Sequence, residues 1–177
     1  MKTKGQNRMR PVQWITMIGF CVAMEIILAR FLSLRTWNLK IGLSFLPVAA
    51  AALIGGPLAG GLTGALGDLI GATLFPVGPY FPGFTLSSFL DGALYGICLK
   101  RGVTRKNILI AVLLTQIGIS LLLNTFWLTV LFHTSFQILL WPRLFQCGVG
   151  IVVKTIVLWI VLPQMEKHLK NQWATRQ

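Results

Sequence analysis

Gly60-Gly61-Leu62-Thr63-Gly64-Ala65-Leu66-Gly67-Asp68-Leu69-Ile70-Gly71-Ala72-Thr73-Leu74-Phe75 is an apolar, glycine-rich run with one carboxylate inside it. Gly56, Gly60 and Gly64 recur every four residues, and so do Gly67 and Gly71. That spacing puts small residues along one side of a helix. Between helices in lipid, small residues let backbones approach closely. Asp68 falls four residues after Gly64, close to the same side, so it points into a bundle and not at lipid. A charge at the middle of a spanning helix costs roughly 2.5–3.5 kcal/mol on insertion scales, so it calls for a partner. The run leads into Phe75-Pro76-Val77-Gly78-Pro79-Tyr80-Phe81-Pro82-Gly83, an aromatic loop stiffened by three prolines. A polar anchor beside an aromatic rim predicts a small-molecule site.

The rest of the chain agrees with a membrane setting. Of 177 residues, 55% are hydrophobic and 11% charged, and mean hydropathy is +0.74. Soluble domains carry about 25% charged residues. The apolar runs are long and continuous, which predicts helices and not the short alternating strands of a barrel. The expected fold is therefore an all-α integral membrane protein, a bundle of six transmembrane helices. A single domain, 1–177, accounts for the whole chain. The predicted helices are about 12–32, 41–54, 57–75, 84–99, 108–132 and 143–162. The second is short for a full span. Gly55-Gly56-Pro57 is expected to end it and open the third.

The net charge of +12 does not point to nucleic acid, because the basic residues cluster at the ends of apolar runs. Eleven of the sixteen fall in the N-terminus, the Lys100–Lys106 loop and the C-terminal tail. By the positive-inside rule those segments, and both termini, are expected to be cytoplasmic in the cell membrane. Arg30, Arg35, Lys40 and Arg143 map instead to the outer end of the bundle, an unfavoured place that predicts an anionic ligand. Snorkelling to lipid phosphates is the plainer reading of any one of them. Lys154 lies near the middle of the last helix and is the expected protein partner of Asp68. Glu25 and Asp91 are read as structural. The basic N-terminus superficially resembles a signal peptide, but the apolar run contains Glu25 and Arg30 and continues to about Phe31, so it is read as the first helix. Within it, Gly19 and Ala23 form a small-xxx-small pattern suited to helix contact.

Several chemistries have no motif to support them. There is no GxxxxGK[ST], no HExxH, no CxxC and no His/Cys cluster. Cys21, Cys98 and Cys147 lie in separate apolar segments, and the carboxylates are scattered. No metal, cofactor or enzymatic activity is expected. The two halves show no repeat of the kind found in many carriers.

Taken together, Arg30-Phe31-Leu32-Ser33, Lys40-Ile41-Gly42-Leu43-Ser44-Phe45-Leu46-Pro47, the Gly64–Gly71 block and the Phe75–Thr85 block resemble the S components of energy-coupling factor (ECF) vitamin transporters. Within that family the chain is most similar to the folate-specific members. The resemblance implies six helices, a vitamin site near the outer face, and a partner module of one transmembrane coupling subunit and two ATPases. It also implies an S component that tips over in the membrane to carry its vitamin inward. Gly19 and Ala23 match the family's docking patch for the coupling subunit. Folate suits the residues. Its two carboxylates need cations, for which Arg30, Arg35, Lys40 and Arg143 are available. Its pterin edge presents N–H donors that Asp68 would accept. Phe75, Tyr80, Phe81, Phe84 and Trp127 offer aromatic walls. Asn124 and Gln146 would add hydrogen bonds, and Lys154 would meet either Asp68 or a pterin oxygen. Three alternatives stand beside this one: an S component for another vitamin such as riboflavin, a stand-alone proton-coupled carrier relaying through Asp68 and Lys154, and a membrane scaffold or enzyme lacking a known motif.

Overall fold

The computed structural model describes residues 10–36, 39–76, 79–100, 102–133 and 136–174. Apart from one small hairpin, these residues form helices, arranged in five continuous rods. They are α1 (Pro11–Arg30), α2 (Phe45–Leu74), α3 (Pro82–Leu99), a composite rod, and α6 (Phe136–Ala174). The composite rod runs from Arg105 to Phe132 as α4 (Arg105–Leu113), a π-helical segment (Leu114–Leu123) and α5 (Asn124–Phe132). Four rods are long and apolar enough to cross a membrane: α1, α2, Arg105–Phe132, and Leu140–Leu169 within α6. Large apolar side chains such as Trp141, Phe145 and Phe20 stand exposed on the outside, as side chains facing lipid do.

Three boundaries differ from expectation, each for a local reason. The segment expected to be a polar linker folds into an antiparallel hairpin, β1 (Leu34–Thr36) against β2 (Leu39–Ile41), with Arg35 opposite Lys40. Helix α2 therefore starts at Phe45 and not at Ile41. The last helix begins at Phe136 and absorbs the expected connection, continuing through Pro142 and Pro163. Proline opens or kinks a helix, but a neighbouring bundle can carry the helix past it.

The third difference concerns the expected second and third helices, which run on without a loop between them. Gly56 has φ 81° and ψ −170°, a non-helical conformation open to glycine. Pro57, whose missing N–H costs nothing at a helix start, follows it. The bend is a reversal. A Cβ on Gly60 would lie 2.6 Å from the Ala52 Cβ, eight residues earlier. In a straight helix such residues are about 12 Å apart. The two halves of α2 thus fold back on each other.

The second half of α2 packs against α3 almost backbone to backbone. A side chain on Gly60 or Gly92 would strike the other's main chain, one on Gly64 would strike Ser88, and one on Gly96 would strike Pro57. The contacts step three or four residues along α2 and four back along α3, the signature of an antiparallel pair meeting through one glycine-lined side. Below them, Phe45, Ala49, Tyr95, Leu99, Ile108, Val112, Leu158 and Leu162 form a continuous core that closes one end of the bundle. Helix α1 joins through Ile18 and Val22 on Ala59.

This contact has a direct test. Gly92→Ala is expected to lower stability by at least the roughly 1–3 kcal/mol typical of overpacking, read as a lower melting temperature in detergent. Gly148→Ala, where nothing lies within 4 Å of the added carbon, is expected to melt like the parent. Equal melting of the two variants would contradict the close approach.

Candidate functional site

Opposite the closed core, the helices part around a cavity of about 380 Å³. That lies within the range of roughly 300–1,000 Å³ for small-molecule sites. Its lining follows from helical spacing. Helix α3 contributes Phe84, Ser88, Asp91 and Tyr95, at intervals of four, three and four. The composite rod contributes Gln116, Ser120 and Asn124, every fourth residue. Helix α6 contributes Arg143, Gln146, Gly150 and Lys154. Helices α1 and α2 contribute Glu25, Arg30, Gly64, Gly67 and Asp68.

Glycine makes room for the polar groups. A side chain at Gly67 would overlap the Glu25 carboxylate, and one at Gly150 would overlap the Gln116 amide. A Cβ on Gly71 would come within 3.1 Å of the Arg30 guanidinium. The same glycines that let helices approach therefore also seat the polar side chains of α1 and the π segment. π turns often mark functional sites. Here two main-chain oxygens of the π segment accept from α6: Ser120 O from Arg143 Nη1 at 3.2 Å and Gln116 O from Cys147 Sγ at 3.4 Å.

The mouth lies where α1 and α2 end and α3 begins. A smaller cavity of about 140 Å³ shares Arg30, Asp68 and Phe84 with the larger one and adds Pro79, Tyr80 and Phe81. Asp68 Oδ2 accepts from Thr85 Oγ1 at 2.9 Å, and Thr85 in turn shares a 3.1 Å hydrogen bond with Tyr80. Asp68 is thus a mouth residue, beside Arg30. Behind the rim, Phe81 packs edge-to-face against Phe84 and at a tilt against Trp127, with centroids 6.0 and 5.5 Å apart. Trp127 Nε1 donates to Ser87 Oγ at 3.2 Å, tying α5 to α3.

Of the expected site residues, Arg30, Asp68, Phe84, Asn124, Arg143, Gln146 and Lys154 line the larger cavity, and Tyr80 and Phe81 its mouth. Trp127 braces the wall from behind. Phe75 packs edge-on against Phe31 and is 43% exposed, away from both cavities. The side chains of Arg35 and Lys40 lie outside the described ones. Gly19 and Ala23 are exposed on α1, and nothing lies within 4 Å of a Cβ built on Gly19.

One expectation needs correction. Lys154 does not bond to Asp68; its ammonium donates to Gln116 Oε1 at 2.9 Å and lies 5.6 Å from the centre of the Phe45 ring. Asp68 is held near the mouth by Thr85, whereas Lys154 reaches the π segment well below it. Arg143 lies three residues into the apolar span Leu140–Leu169, and its guanidinium reaches inward to the Ser120 carbonyl. Two residues read as structural, Glu25 and Asp91, line the cavity, as do Ser88, Gln116 and Ser120, which sequence reasoning passed over. The four-residue spacing of Gln116, Ser120 and Asn124 inside an apolar run was the available signal.

Among the described residues there is no group of three His, Cys, Asp or Glu side chains able to hold a metal. The arrangement offers separated cations, carboxylates and amides around a space with aromatic groups at its mouth, which suits reversible binding of a polar, flat ligand.

Comparison with known proteins gives this geometry a family. Residues 13–162 match the family described as ECF transporter, substrate-specific component. The chain is 35% identical over 162 residues to the folate transporter FolT of Clostridium novyi (strain NT), covering 89% of this chain and 94% of that one. It is 27% identical over 159 residues to the folate transporter FolT of Leuconostoc mesenteroides subsp. mesenteroides, covering 88% of this chain and 83% of that one. Among solved structures, a crystal structure of FolT bound with folic acid superposes with a TM-score of 0.76 at 32% identity, covering 82% of this chain and 89% of that one. The S component of a bacterial ECF transporter shares the fold, with a TM-score of 0.70 at 21% identity, covering 91% of this chain and 99% of that one. The chain is a multi-pass membrane protein, and it belongs to the family of substrate-specific components of ECF transporters.

Proposed function

We propose that this chain binds folate at the cell membrane and delivers it inward, with ATP hydrolysed by partner subunits. The observation that carries the reading is a cavity of suitable size and polarity in a chain that resembles a folic-acid-bound FolT. Folate is long, with a flat pterin at one end and two carboxylates at the other. Arg30 at the mouth offers a fork that matches a carboxylate, with Arg35 and Lys40 on the adjoining hairpin. Arg143, Gln146, Asn124 and Lys154 supply donors and acceptors further in for the ring. Asp68 works at the mouth beside Arg30, and Tyr80, Phe81, Phe84 and Trp127 form and brace the aromatic rim.

The same reading assigns partners and orientation. Gly19 and Ala23 present a small, open patch on α1 where a coupling subunit's helix can approach closely, with two ATPases beneath it. The fold-back at Gly56 supports counting α2 as two membrane segments, which makes six and puts both termini on one side. The basic residues at that side support a cytoplasmic assignment.

Titration of the purified protein with folate, followed by tryptophan fluorescence, is expected to give tight saturable binding, with no response to riboflavin. Arg30→Ala and Asp68→Asn are each expected to weaken folate binding by about 10-fold or more, the scale of a lost charged hydrogen bond. Absence of folate binding, or equal binding of riboflavin, would contradict the assignment. For orientation, a single cysteine at Gly102, placed in a variant lacking the native cysteines, is expected to react with an impermeant thiol reagent only after the cells are opened. Labelling in intact cells would reverse the topology.

A further inference from the structure

The closed end of the bundle carries charge that the cavity does not use. Three of the chain's four acidic residues, Glu25, Asp68 and Asp91, line the cavity, which leaves Glu166 as the one carboxylate outside it. Opposing that single charge are Arg10, Lys100, Arg105, Lys106 and Lys167, all exposed at the closed end. Arg105 and Lys106 stand on a well-fixed turn. Gly102, with φ 117°, takes a 2.8 Å hydrogen bond on its carbonyl from the Asn107 side chain. The Thr104 hydroxyl caps α4 by accepting from the Asn107 main-chain N–H at 3.3 Å. Val103 packs on the core, and Ile108 is buried in it.

From that turn Arg105 reaches across to α6, where its guanidinium lies 5.7 Å from the centre of the Trp159 ring. A guanidinium set against a ring face still presents its N–H donors along its edge. Trp159 is itself exposed, and tryptophan favours the level of the lipid headgroups. Exposed apolar side chains continue from this point along both helices. Ile110 and Leu114 follow Lys106 at four-residue steps, and Ile156 and Val152 lead away from Trp159 toward mid-membrane. From Lys106 to Leu114 is about 12 Å of helix, most of the roughly 15 Å of one hydrocarbon leaflet. Cations therefore cap an apolar, lipid-facing surface about one leaflet deep.

We propose that Arg105, Lys106 and Trp159 form a binding site for the phosphate headgroup of an anionic phospholipid, whose acyl chains lie along the exposed apolar side chains of α4 and α6. Arginine offers a planar fork that matches two phosphate oxygens, and lysine adds a compact charge beside it. Basic surfaces between membrane helices on the cytoplasmic side suit such headgroups, in keeping with the orientation proposed above. Inorganic phosphate would engage the cations and leave the apolar surface uncovered, whereas a lipid covers both. The site is separate from the cavity and does not depend on the folate reading.

Native mass spectrometry of the full chain in neutral detergent, with phosphatidylglycerol or phosphatidylcholine added, is the test. The unmodified chain is expected to retain phosphatidylglycerol in preference to phosphatidylcholine, a comparison that needs no variant to fold. Combining Arg105→Gln with Lys106→Gln is expected to weaken phosphatidylglycerol retention about 25-fold, at about 5-fold for each basic residue near a membrane surface. Combining Lys100→Gln with Lys167→Gln removes the same charge from the same end and is expected to retain the lipid as the parent does. Excess inorganic phosphate is expected to leave the lipid bound. A melting temperature in lipid-free detergent equal to the parent's reports that each variant folds. Equal loss in the two double variants would reduce the attraction to diffuse surface charge and overturn the site. Equal retention of phosphatidylcholine, or displacement by inorganic phosphate, would overturn it as well. So would the absence of any retained lipid, which would leave the patch to an acidic protein surface.

Discussion

The contact between the second half of α2 and α3 is the constraint on which the rest depends. Gly60 and Gly92 meet main chain to main chain, with Gly64 on Ser88 and Pro57 on Gly96 above and below. Lipid gives no hydrophobic drive to such a pair, so packing and polar contacts must hold it. The close fit fixes the register of α3, and that register decides which α3 side chains face inward. Phe84, Ser88, Asp91 and Tyr95 then form one wall, and Asp68 meets Thr85 at its top. A single added methyl on this seam would shift the wall as well as the helices.

A second constraint is that polar groups at membrane depth need partners. The bundle meets it by gathering them around one space. Gly67, Gly71 and Gly150 leave hollows for Glu25, Arg30 and Gln116. The π segment lends two carbonyls to α6. Glu25, Arg30, Gln116 and Arg143 all line the cavity, so the fold and its ligand chemistry are two sides of the same accounting.

The membrane class and the helix periods were readable in composition and spacing, because lipid imposes long apolar segments. The glycine stripe and the inward-facing Asp68 were readable from four-residue spacing. Partner choice was not. Asp68 and Lys154 were matched by charge, but pairing depends on depth, and Asp68 is held at the mouth by Thr85 while Lys154 reaches Gln116 on the π segment. The hairpin escaped because Leu34–Ile41 is too short and too polar to signal strands. Gln116 and Ser120 were passed over because isolated polar residues in apolar helices carry no charge to draw attention. A π segment leaves no plain trace in sequence at all.

A structure of the chain with folate bound tests the central claim most directly. The pterin is predicted deep in the cavity, between α3 and the composite rod, with the carboxylates toward Arg30 at the mouth. Folate lodged outside this cavity, or with its glutamate end deepest, would contradict that claim.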